Sequence, residues 1–352
     1  MPGVNPSHKN IRFCLSAEVS TEYICQDKKR VVHHLLYAPD FDTVKKINKK
    51  LSVYADLSAD ARPTIILSSR SLLEIILESS VQSHLVPAHA WTPWNAVFGS
   101  KNGHESLEDC YGDLSHHIFA LETGLSSDPA MNRRWHKLDH LTMMSNSDAH
   151  SLNKLGRELN LFDTDCSYNG LFNAVKTKKG FNGTLEFFPE EGKYTYDGHR
   201  ECNVCLSPGE SRKLGSICPV CKKQVTIGAM HQLDRLTGST IDSQPADARD
   251  FHHVIPLQEI LAEINGVSSP DGKKVTAAFR KAIAAFGNEF AILEEVPVTD
   301  IDRYHPLLGK AIRRMRAGQT KKIIPGYDNK YGKILLFEKD ELGAGRQQLN
   351  MF

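Results

Sequence analysis

Apolar positions in the first part of the chain alternate between short extended runs and longer runs with helical spacing. Residues 11–16 and 31–38 concentrate β-branched and apolar side chains over a short span, which predicts two strands. Asp40 stands where a helix to about residue 55 would begin, since an aspartate side chain can accept hydrogen bonds from the first free backbone N–H groups of a helix. Residues 69–80 carry large aliphatic side chains at helical spacing and predict a second, core-packed helix.

The same alternation continues to about residue 160. Short β-type runs end near residues 89, 122 and 146, and helical segments are predicted near residues 106–111 and 153–160. Strands that alternate with helices over this length favour a βα barrel with parallel strands. We therefore expect an α/β fold for the first part of the chain.

A polar segment separates this region from a C-terminal unit. Residues 237–250 (TGSTIDSQPADARD) are acidic and poor in large apolar side chains, which predicts a linker. Beyond it, helical spacing recurs near residues 257–264, 273–286 and 306–317, before a glycine-rich β-type end. These patterns predict a first domain over residues 1–195, a small module over 196–236 and a small α+β domain over 251–352.

Composition and length argue against several classes of protein. The 352 residues carry 43 Lys and Arg against 42 Asp and Glu, so the formal net charge of +1 gives no polyelectrolyte signal, and any nucleic-acid contact must come from a local patch. No apolar run approaches the roughly 18–20 residues that cross a bilayer, and residues 1–12 lack the apolar core of a secretory signal. We expect a cytoplasmic protein without a membrane partner and, since no G-x-x-x-x-G-K-S/T loop is present, without ATP.

Four of the eight cysteines form two C-x-x-C pairs, Cys202 with Cys205 and Cys218 with Cys221. Four thiolates at this spacing can close a tetrahedral zinc site with Zn–S distances of about 2.3 Å and no open position. Such a zinc would be structural, because a closed site leaves no place for a substrate. The alternative is four unrelated buried thiols. The remaining cysteines are scattered, which suits a reducing compartment better than a disulfide framework.

Histidines and carboxylates follow several of the predicted strands; they are Glu18, His33, His89, Glu122, Asp148 and His150. The carboxyl ends of barrel strands meet at one rim, which is where such enzymes place their metal ligands. In an extended D-x-H segment the two side chains lie on one face. Oxygen and nitrogen ligands of this kind suit Zn, Mn, Fe or Mg. The alternative, for each histidine taken alone, is a hydrogen-bonded core residue.

Seven runs along the chain form a pattern larger than any one metal motif. They are residues 17–21 (AEVST), 32–35 (VHHL), 87–94 (PAHAWTPW), 98–101 (FGSK), 122–129 (ETGLSSDP), 145–150 (SNSDAH) and 187–194 (FFPEEGKY). Together they resemble endonuclease Q, a family within the PHP class of metal-dependent phosphoesterases. The match is dense over about residues 12–235 and looser beyond.

This resemblance implies a PHP-type distorted βα barrel with a four-cysteine zinc module and a small α+β C-terminal domain. It implies a DNA repair endonuclease that hydrolyses the phosphodiester 5′ to deaminated bases (uracil, hypoxanthine, xanthine) or abasic sites by metal-activated water. The implied cofactors are a structural zinc and divalent Zn, Mn or Mg in the barrel. The implied partner is double-stranded DNA with a damaged base, which the C-terminal domain helps to hold, and a DNA sliding clamp is a further candidate.

The resemblance also assigns ligands in the barrel. Glu18 looks like a bridging carboxylate, His33 and His89 like ring-nitrogen ligands, and Asp148 and His150 like the D-x-H pair that closes the set. His33 is preferred to His34 because the class pattern is Val-His followed by two apolar positions. The two side chains point to opposite faces of the strand, so only one of them can enter the cluster.

Glu122 completes the catalytic group that the resemblance implies, with Asp148 and His150. It would lie near the metals or the substrate. The alternative is an acid that merely fixes a neighbouring loop.

The amino terminus departs from the family pattern. PHP proteins open with an Asp-Leu-His-x-His strand, and another Asp and His precede the bridging carboxylate, whereas this chain has no H-x-H before Glu18. We therefore expect an N-terminally truncated barrel that lacks its first strands and about half of the ligand set. Either the chain is a fragment of such an enzyme, or it is a degenerate relative that keeps a DNA-binding role.

Basic residues cluster near the end of the chain. Between residues 305 and 334, eight lysines and arginines stand against one acid, which predicts phosphate contacts, with a solvated helix face as the alternative. The tryptophans of the loop after His89 could stack on an extruded base, or they could seal the core. The predicted DNA contacts are Trp91, Trp94, Lys101, Arg313, Arg314, Arg316, Lys321 and Lys322.

Three functions stay open at this point. The first is a metal-dependent, lesion-specific DNA endonuclease. The second is a catalytically impaired DNA-binding fragment of such an enzyme, which the missing histidines favour. The third is a small-molecule phosphatase of the same barrel class, which would need neither the cysteine pairs nor the basic tail.

Overall fold

The computed structural model describes residues 11–238 and 245–342. The predicted linker and the outer ends of the first and last predicted domains therefore lie partly outside the described residues. The strands are β1 (Leu15–Cys25), β2 (Lys28–Ala38), β3 (Thr64–Ile65), β4 (His84–Pro87), β5 (Ala120–Glu122), β6 (Thr142–Met144), β7 (Leu159–Phe162), β8 (Phe181–Phe187), β9 (Asp197–His199), β10 (Val204–Leu206), β11 (Asp250–Val254), β12 (Lys322–Ile324) and β13 (Lys333–Leu335). The helices are α1 (Phe41–Leu51), α2 (Ser69–Ser79), α3 (Leu107–Tyr111), α4 (Pro129–Arg133), α5 (Tyr168–Thr177), α6 (Pro208–Lys213), α7 (Ala229–Thr237), α8 (Leu257–Asn265), α9 (Lys273–Phe286), α10 (Val298–Tyr304) and α11 (Pro306–Arg316).

A long hairpin forms the centre of the first sheet. β1 and β2 pair antiparallel over their whole length. The two residues between them, Gln26 and Asp27, have φ of 52° and 58°, which is typical of turns that follow the twist of a hairpin. β3 joins β1 in parallel and β4 joins β2 antiparallel, so the order is β3-β1-β2-β4.

The first hydrophobic core lies against this sheet. α1 begins at Asp40, as predicted, because the Asp40 side chain accepts a hydrogen bond from the Thr43 N–H. α2 buries its aliphatic face together with Trp91 and Phe98. Leu233 of α7 packs into the same core, so the end of the predicted zinc module belongs structurally to the first region.

The expectation of a parallel barrel is corrected by the sheets. Over residues 11–238 and 245–342 they do not close: β5 and β6 form a separate parallel pair, and β7, β8 and β11 form a sheet of order β11-β8-β7. β1 and β2 are antiparallel because a two-residue turn can join only antiparallel strands. The α/β class itself is confirmed.

The C-terminal region shares a sheet and a core with the first region. β11 runs parallel to β8, from Asp250 beside Gly183 to Val254 beside Phe187. Leu185 of β8 lies in the core that α8 and α11 build. The predicted boundary near residue 250 is therefore crossed by a continuous sheet.

The three predicted helices of the C-terminal region are present, whereas one predicted helix of the first region is wrong. α8, α9 and α11 match the predicted spans to within a residue. The helix predicted over 153–160 is replaced by a short turn and by β7, because the Leu159–Phe162 strand pairs with β8. Among the described residues, no helix is long and apolar enough to cross a membrane.

Candidate active site and metal centres

The register of β1 and β2 brings Glu18 and His33 together. Glu18 pairs with Leu35 and Ser20 pairs with His33, so Glu18 and His33 are diagonal neighbours on one face of the hairpin. His34 lies on the opposite face, where its side chain is fully buried. The structure thus places His33, rather than His34, beside Glu18.

His89 joins this pair from the loop after β4. The Ala88 N–H donates to the His33 carbonyl oxygen at 3.1 Å, which fixes the start of the loop over β2. His33 Nδ1 lies 2.9 Å from Glu18 Oε1 and 3.1 Å from His89 Nε2. His89 Nε2 lies 3.5 Å from the same Glu18 oxygen. We call Glu18, His33 and His89 the strand-end trio; their three ligand atoms lie within 4.8 Å of one another.

The electrostatics of the trio suit a cation. Burial acts to raise the pKa of Glu18, but hydrogen bonds and charges from His33 and His89 outweigh it and hold that pKa well below its usual range. Burial lowers the pKa of His33, although Glu18 opposes the shift. For His89, burial acts downward, yet the carboxylates of Glu18, Glu122 and Asp148 raise its pKa. Two imidazole nitrogens and a carboxylate oxygen in such surroundings fit a divalent metal.

The backbone of His89 is held in an unusual conformation. Its φ is 29°, a region that residues with a side chain rarely occupy. The His89 N–H donates to Glu122 Oε2 at 2.7 Å. A Cβ added to Gly124, whose φ is 63°, would lie 2.6 Å from the His89 Cβ, so only glycine allows this approach. Glu122 and Gly124 therefore define where His89 stands.

Glu122 positions other groups and does not join the trio. It is buried, and its second oxygen, Oε1, accepts a hydrogen bond from Asn146 Nδ2 at 2.8 Å. Burial raises the pKa of this carboxyl above its usual value, against the opposing charge of His89. The geometry favours the alternative named above, an acid that fixes the neighbouring loops, over a direct catalytic role.

Two supporting residues were not predicted from the sequence. Asn146 links Glu122 to the loop that carries Asp148. Thr92 Oγ1 lies 3.1 Å from His89 Nδ1. When Nδ1 carries the proton, this contact leaves Nε2 free as a ligand. The only signal in the sequence is that each residue lies within three positions of a predicted ligand.

Asp148 and His150 do not join the three ligand atoms of the trio in this structure, so their place in the ligand set stays a prediction. The expectation assumed an extended D-x-H segment, but Asp148 has a φ of 43°, and the loop after β6 has no regular structure. The alternation of side chains is therefore broken. The His150 side chain is 77% exposed, and its Nδ1 lies 3.7 Å from Asp148 Oδ1. Asp148 acts on His89 through its charge.

The cysteine hairpin forms a second group of potential metal ligands. His199, Cys202, Cys218 and Cys221 bring one ligand atom each within 4.8 Å of one another; we call them the hairpin cluster. Backbone N–H groups of Cys221 and Val220 point at the Cys218 sulfur and lower the pKa of this thiol. A thiolate stabilised in this way is the form that binds zinc.

Cys205 differs from the prediction of a four-cysteine site. It lies on β10, and its Sγ approaches the carbonyl oxygen of Pro325 at 3.9 Å. His199, on the paired strand β9, takes the fourth position, with Nδ1 3.6 Å from Cys221 Sγ. The pairing of β9 with β10 places Cys205 opposite Gly198, which turns its side chain away from the cluster.

Two solved structures are close to this chain. The crystal structure of the lesion-specific endonuclease PfuEndoQ from Pyrococcus furiosus matches with a TM-score of 0.81 and 28% identity, over 96% of this chain and 81% of that chain. An endonuclease Q complex with a 27-mer duplex substrate, with an abasic lesion at the active site, matches with a TM-score of 0.81 and 28% identity, over 95% of this chain and 82% of that chain. The chain is a structural relative of endonuclease Q. The predicted resemblance is confirmed.

Sequence comparisons add one family model and two relatives of this chain. The MJ0043 C-terminal domain family matches residues 256–319. The uncharacterized protein MJ0043 of Methanocaldococcus jannaschii is 27% identical over 254 residues, which are 70% of this chain and 31% of that protein. The uncharacterized protein YqxK of Bacillus subtilis is 29% identical over 313 residues, which are 86% of this chain and 73% of that protein. The chain thus spans less than a third of MJ0043.

The aromatic contacts predicted for an endonuclease Q relative divide into one core residue and one surface residue. Trp91 is 1% exposed, donates from Nε1 to Asn132 Oδ1 at 2.7 Å and packs on Phe98 and Trp135. It seals the core and cannot stack on a base, so that prediction is wrong. Trp94 is exposed and meets the ring of Tyr194 edge to face.

The predicted basic contacts also divide. Lys101, Lys321 and Lys322 are exposed. Arg314 is instead bound by Glu341, and Arg316 donates to three backbone carbonyls near the end of the π-helical turn Ala291–Glu295. These two guanidinium groups hold the C-terminal region together, because each is used by internal acceptors. Arg313 is exposed and forms an ion pair with Asp302.

Proposed function

We propose that this chain is a metal-dependent DNA repair endonuclease that cuts the phosphodiester 5′ to deaminated bases or abasic sites. The observation that carries the proposal is the strand-end trio, preorganised in a chain whose fold matches a lesion-bound endonuclease Q. The structural likeness supports the broader description, a DNA repair nuclease. The lesion and the side of the cut are the finer parts of the proposal.

Glu18, His33 and His89 are the residues that would hold a divalent cation. When bound, such a cation supplies Lewis-acid chemistry for phosphodiester hydrolysis. Glu122 and Thr92 would orient His89, and the charge of Asp148 would act on His89 from its own loop. Arg62, whose Nη1 lies 3.4 Å from Glu18 Oε1, adds positive charge for a backbone phosphate at the same edge.

Nicking of end-labelled duplexes tests this function. Duplexes with one deoxyuridine, one deoxyinosine or one abasic analogue are incubated with the chain and Mn²⁺ or Mg²⁺, and the product length locates the cut. We expect a cut 5′ to the lesion that chelation and His89→Ala abolish. An uncut lesion duplex in the presence of folded, zinc-loaded protein would contradict the proposal.

A DNA-binding role without hydrolysis is the second candidate. It is favoured by the fact that the described residues gather three ligand atoms in the trio while Asp148 and His150 remain apart. Salt-dependent binding of lesion DNA without cleavage would support it. Turnover of a phosphorylated metabolite without DNA affinity would instead support the phosphatase alternative. The comparisons lend no support to a sliding clamp as partner.

A further inference from the structure

Asn160 joins strand β7 to the loop after β6. Its Oδ1 accepts a hydrogen bond from the Ser145 N–H at 2.9 Å, and its Nδ2 donates to the Ser145 carbonyl oxygen at 2.7 Å. The side-chain amide thus offers the same donor and acceptor as a peptide group. A backbone N–H can only donate and a backbone carbonyl can only accept. The backbone of Ser145 therefore fixes which way round the Asn160 amide lies.

The orientation of Asn160 in turn fixes that of Asn146. Asn160 Nδ2 also donates to Asn146 Oδ1, at 3.1 Å. Because its oxygen is used in this contact, Asn146 turns its Nδ2 to the next residue and donates to Glu122 Oε1 at 2.8 Å. The Tyr37 hydroxyl also bonds Asn146, but a hydroxyl can donate or accept and so sets no direction. Asn146 is thus held as a donor to Glu122.

This chain of hydrogen bonds ends at the strand-end trio. Glu122 uses its other oxygen, Oε2, to accept from the His89 N–H at 2.7 Å. An ionised carboxyl can only accept, so both of its neighbours have to donate. If Asn146 were turned around, its own oxygen would face Glu122 Oε1. Glu122 is buried, so little water could separate the two acceptors, and Glu122 would move away from its place under His89.

We propose that Asn160 is a positioning residue for the strand-end trio. It fixes the direction of Asn146, through which Glu122 is held in place to accept from the His89 N–H. Asn160 acts through these two side chains and is not itself one of the three ligands. The inference rests on the proposed function, because the trio is the metal site of that function. It makes the geometry of the trio depend on a strand of a different sheet.

Two variants of Asn160 distinguish orientation from packing. Asn160→Asp keeps the size of the side chain and the bond to the Ser145 N–H, but its carboxylate accepts from Asn146 and turns that amide around. Asn160→Ala removes all three contacts and leaves Asn146 free to keep its direction. We expect Asn160→Asp to weaken Mn²⁺ binding by about 10–100-fold, the scale of losing a residue that orients a ligand, and Asn160→Ala to weaken it less. A purely structural role predicts the opposite order, which would overturn the proposal.

A double variant reverses the direction of the whole chain. When Asn160→Asp is combined with Glu122→Gln, Asn146 Oδ1 can accept from the new amide at position 122, whose oxygen still accepts from the His89 N–H. The double variant also keeps the net charge of the wild type. We expect it to recover most of the Mn²⁺ affinity that each single variant loses. Independent effects would instead multiply, so a double variant weaker than both single ones would overturn the proposal.

Hydrogen exchange of the His89 N–H in metal-free protein needs neither metal nor DNA. Exchange should be faster in Asn160→Asp and close to that of the wild type in the double variant. Calorimetric titration measures the Mn²⁺ affinities, and thermal unfolding shows that each variant is folded. Asn169→Asp is the control, because Asn169 is exposed and its Oδ1 accepts from Gln82 Nε2 at 3.2 Å, a role that aspartate keeps. This control should change neither exchange nor affinity.

The exchange and nicking measurements separate this proposal from the proposed function. A wild-type chain that binds no Mn²⁺ and never nicks lesion DNA refutes the metal-dependent endonuclease. Faster exchange in Asn160→Asp that the double variant reverses still supports the role of Asn160 in that case. A wild-type chain that nicks lesion DNA, with exchange and affinity unchanged in Asn160→Asp, supports the endonuclease and refutes the role of Asn160.

Discussion

The strand-end trio and the hairpin cluster are two potential metal sites built in opposite ways. The trio draws one residue each from β1, β2 and the loop after β4, and its three ligands leave coordination positions open. The hairpin cluster draws four ligands from one short segment around β9 and β10, which fills all four positions of a tetrahedral metal site. Open sites suit chemistry and closed ones suit structure. The candidate catalytic metal site and the candidate structural metal site are therefore two separate groups of residues.

The largest expected effect breaks the closed site. Cys218 is fully buried in the hairpin cluster, so Cys218→Ser should remove the zinc and lower the free energy of unfolding by about 4 kcal/mol, the scale of losing a structural metal. Urea denaturation and the zinc content of the purified protein measure this. The trio should keep its metal, because its ligands come from another sheet.

Cys205→Ser and His199→Ala decide between the two ligand sets. From the structure, we expect Cys205→Ser to retain zinc and His199→Ala to lose it. If Cys205→Ser loses zinc and His199→Ala does not, the four-cysteine site predicted from the sequence is the correct one.

The next largest effect is expected when a ligand of the strand-end trio is removed while the protein stays folded. His89→Ala should lower lesion nicking by more than about 100-fold, since even partners that merely orient a ligand cost about 10–100-fold when lost. Its thermal unfolding should hardly change, because His89 lies in a loop. His150→Ala is the matched control and should lower nicking by only a few-fold. Equal losses in both variants would mean that the Asp148 loop closes onto the metal after all.

The two sites also differ in how far the sequence predicts them. Cys202, Cys218 and Cys221 are close along the chain, so their spacing nearly defines the cluster. It offers Cys205 as the fourth ligand, however, where the structure places His199. The trio depends on the register of two strands, where a shift of one residue would exchange His33 for His34. Family resemblance resolved that choice, whereas periodicity could not.

The sequence predicts Glu122 and Asp148 as site residues but not how the backbone positions them. Glu122 acts on the N–H of His89, and no residue type in the sequence marks such a partner. Asp148 departs from the extended D-x-H geometry because its φ is positive. Since the residue is not a glycine, its type does not predict this backbone conformation. The helices α8, α9 and α11 were predictable because their apolar spacing is local.

A smaller effect is expected when the hydrogen bonds that position His89 in the trio are changed. In Glu122→Gln the single remaining oxygen cannot accept from both the His89 N–H and Asn146, so His89 should be misplaced and metal affinity should fall by about 10–100-fold. Calorimetric titration with Mn²⁺ measures this. Glu122→Gln combined with Asn146→Asp restores a donor and acceptor pattern and should recover most of the affinity. Failure of the double variant to recover would mean that the charge of Glu122, and not its hydrogen bonds, supports the site.

The smallest expected effect concerns the pH dependence of the free energy of unfolding. Glu186 of β8 accepts hydrogen bonds from Thr123 Oγ1 and Ser145 Oγ, both at 3.1 Å, in the segments that follow β5 and β6. Burial raises the pKa of Glu186 to about 7. The folded protein therefore holds a proton here that the unfolded chain releases near its ordinary carboxyl pKa. Stability from this group is present at low pH and is lost as pH rises from about 4.5 to about 7.

Glu186→Gln should remove that dependence, because the amide does not titrate. The slope of unfolding free energy against pH should become less negative by up to about 1.4 kcal/mol per pH unit within this window. Glu108→Gln, at an exposed position of α3, should leave the slope unchanged. Urea denaturation at pH values from 4.5 to 7.5 measures the slopes. A slope that stays the same in Glu186→Gln would place the proton elsewhere, with Glu158, whose pKa burial also raises, as the first group to replace.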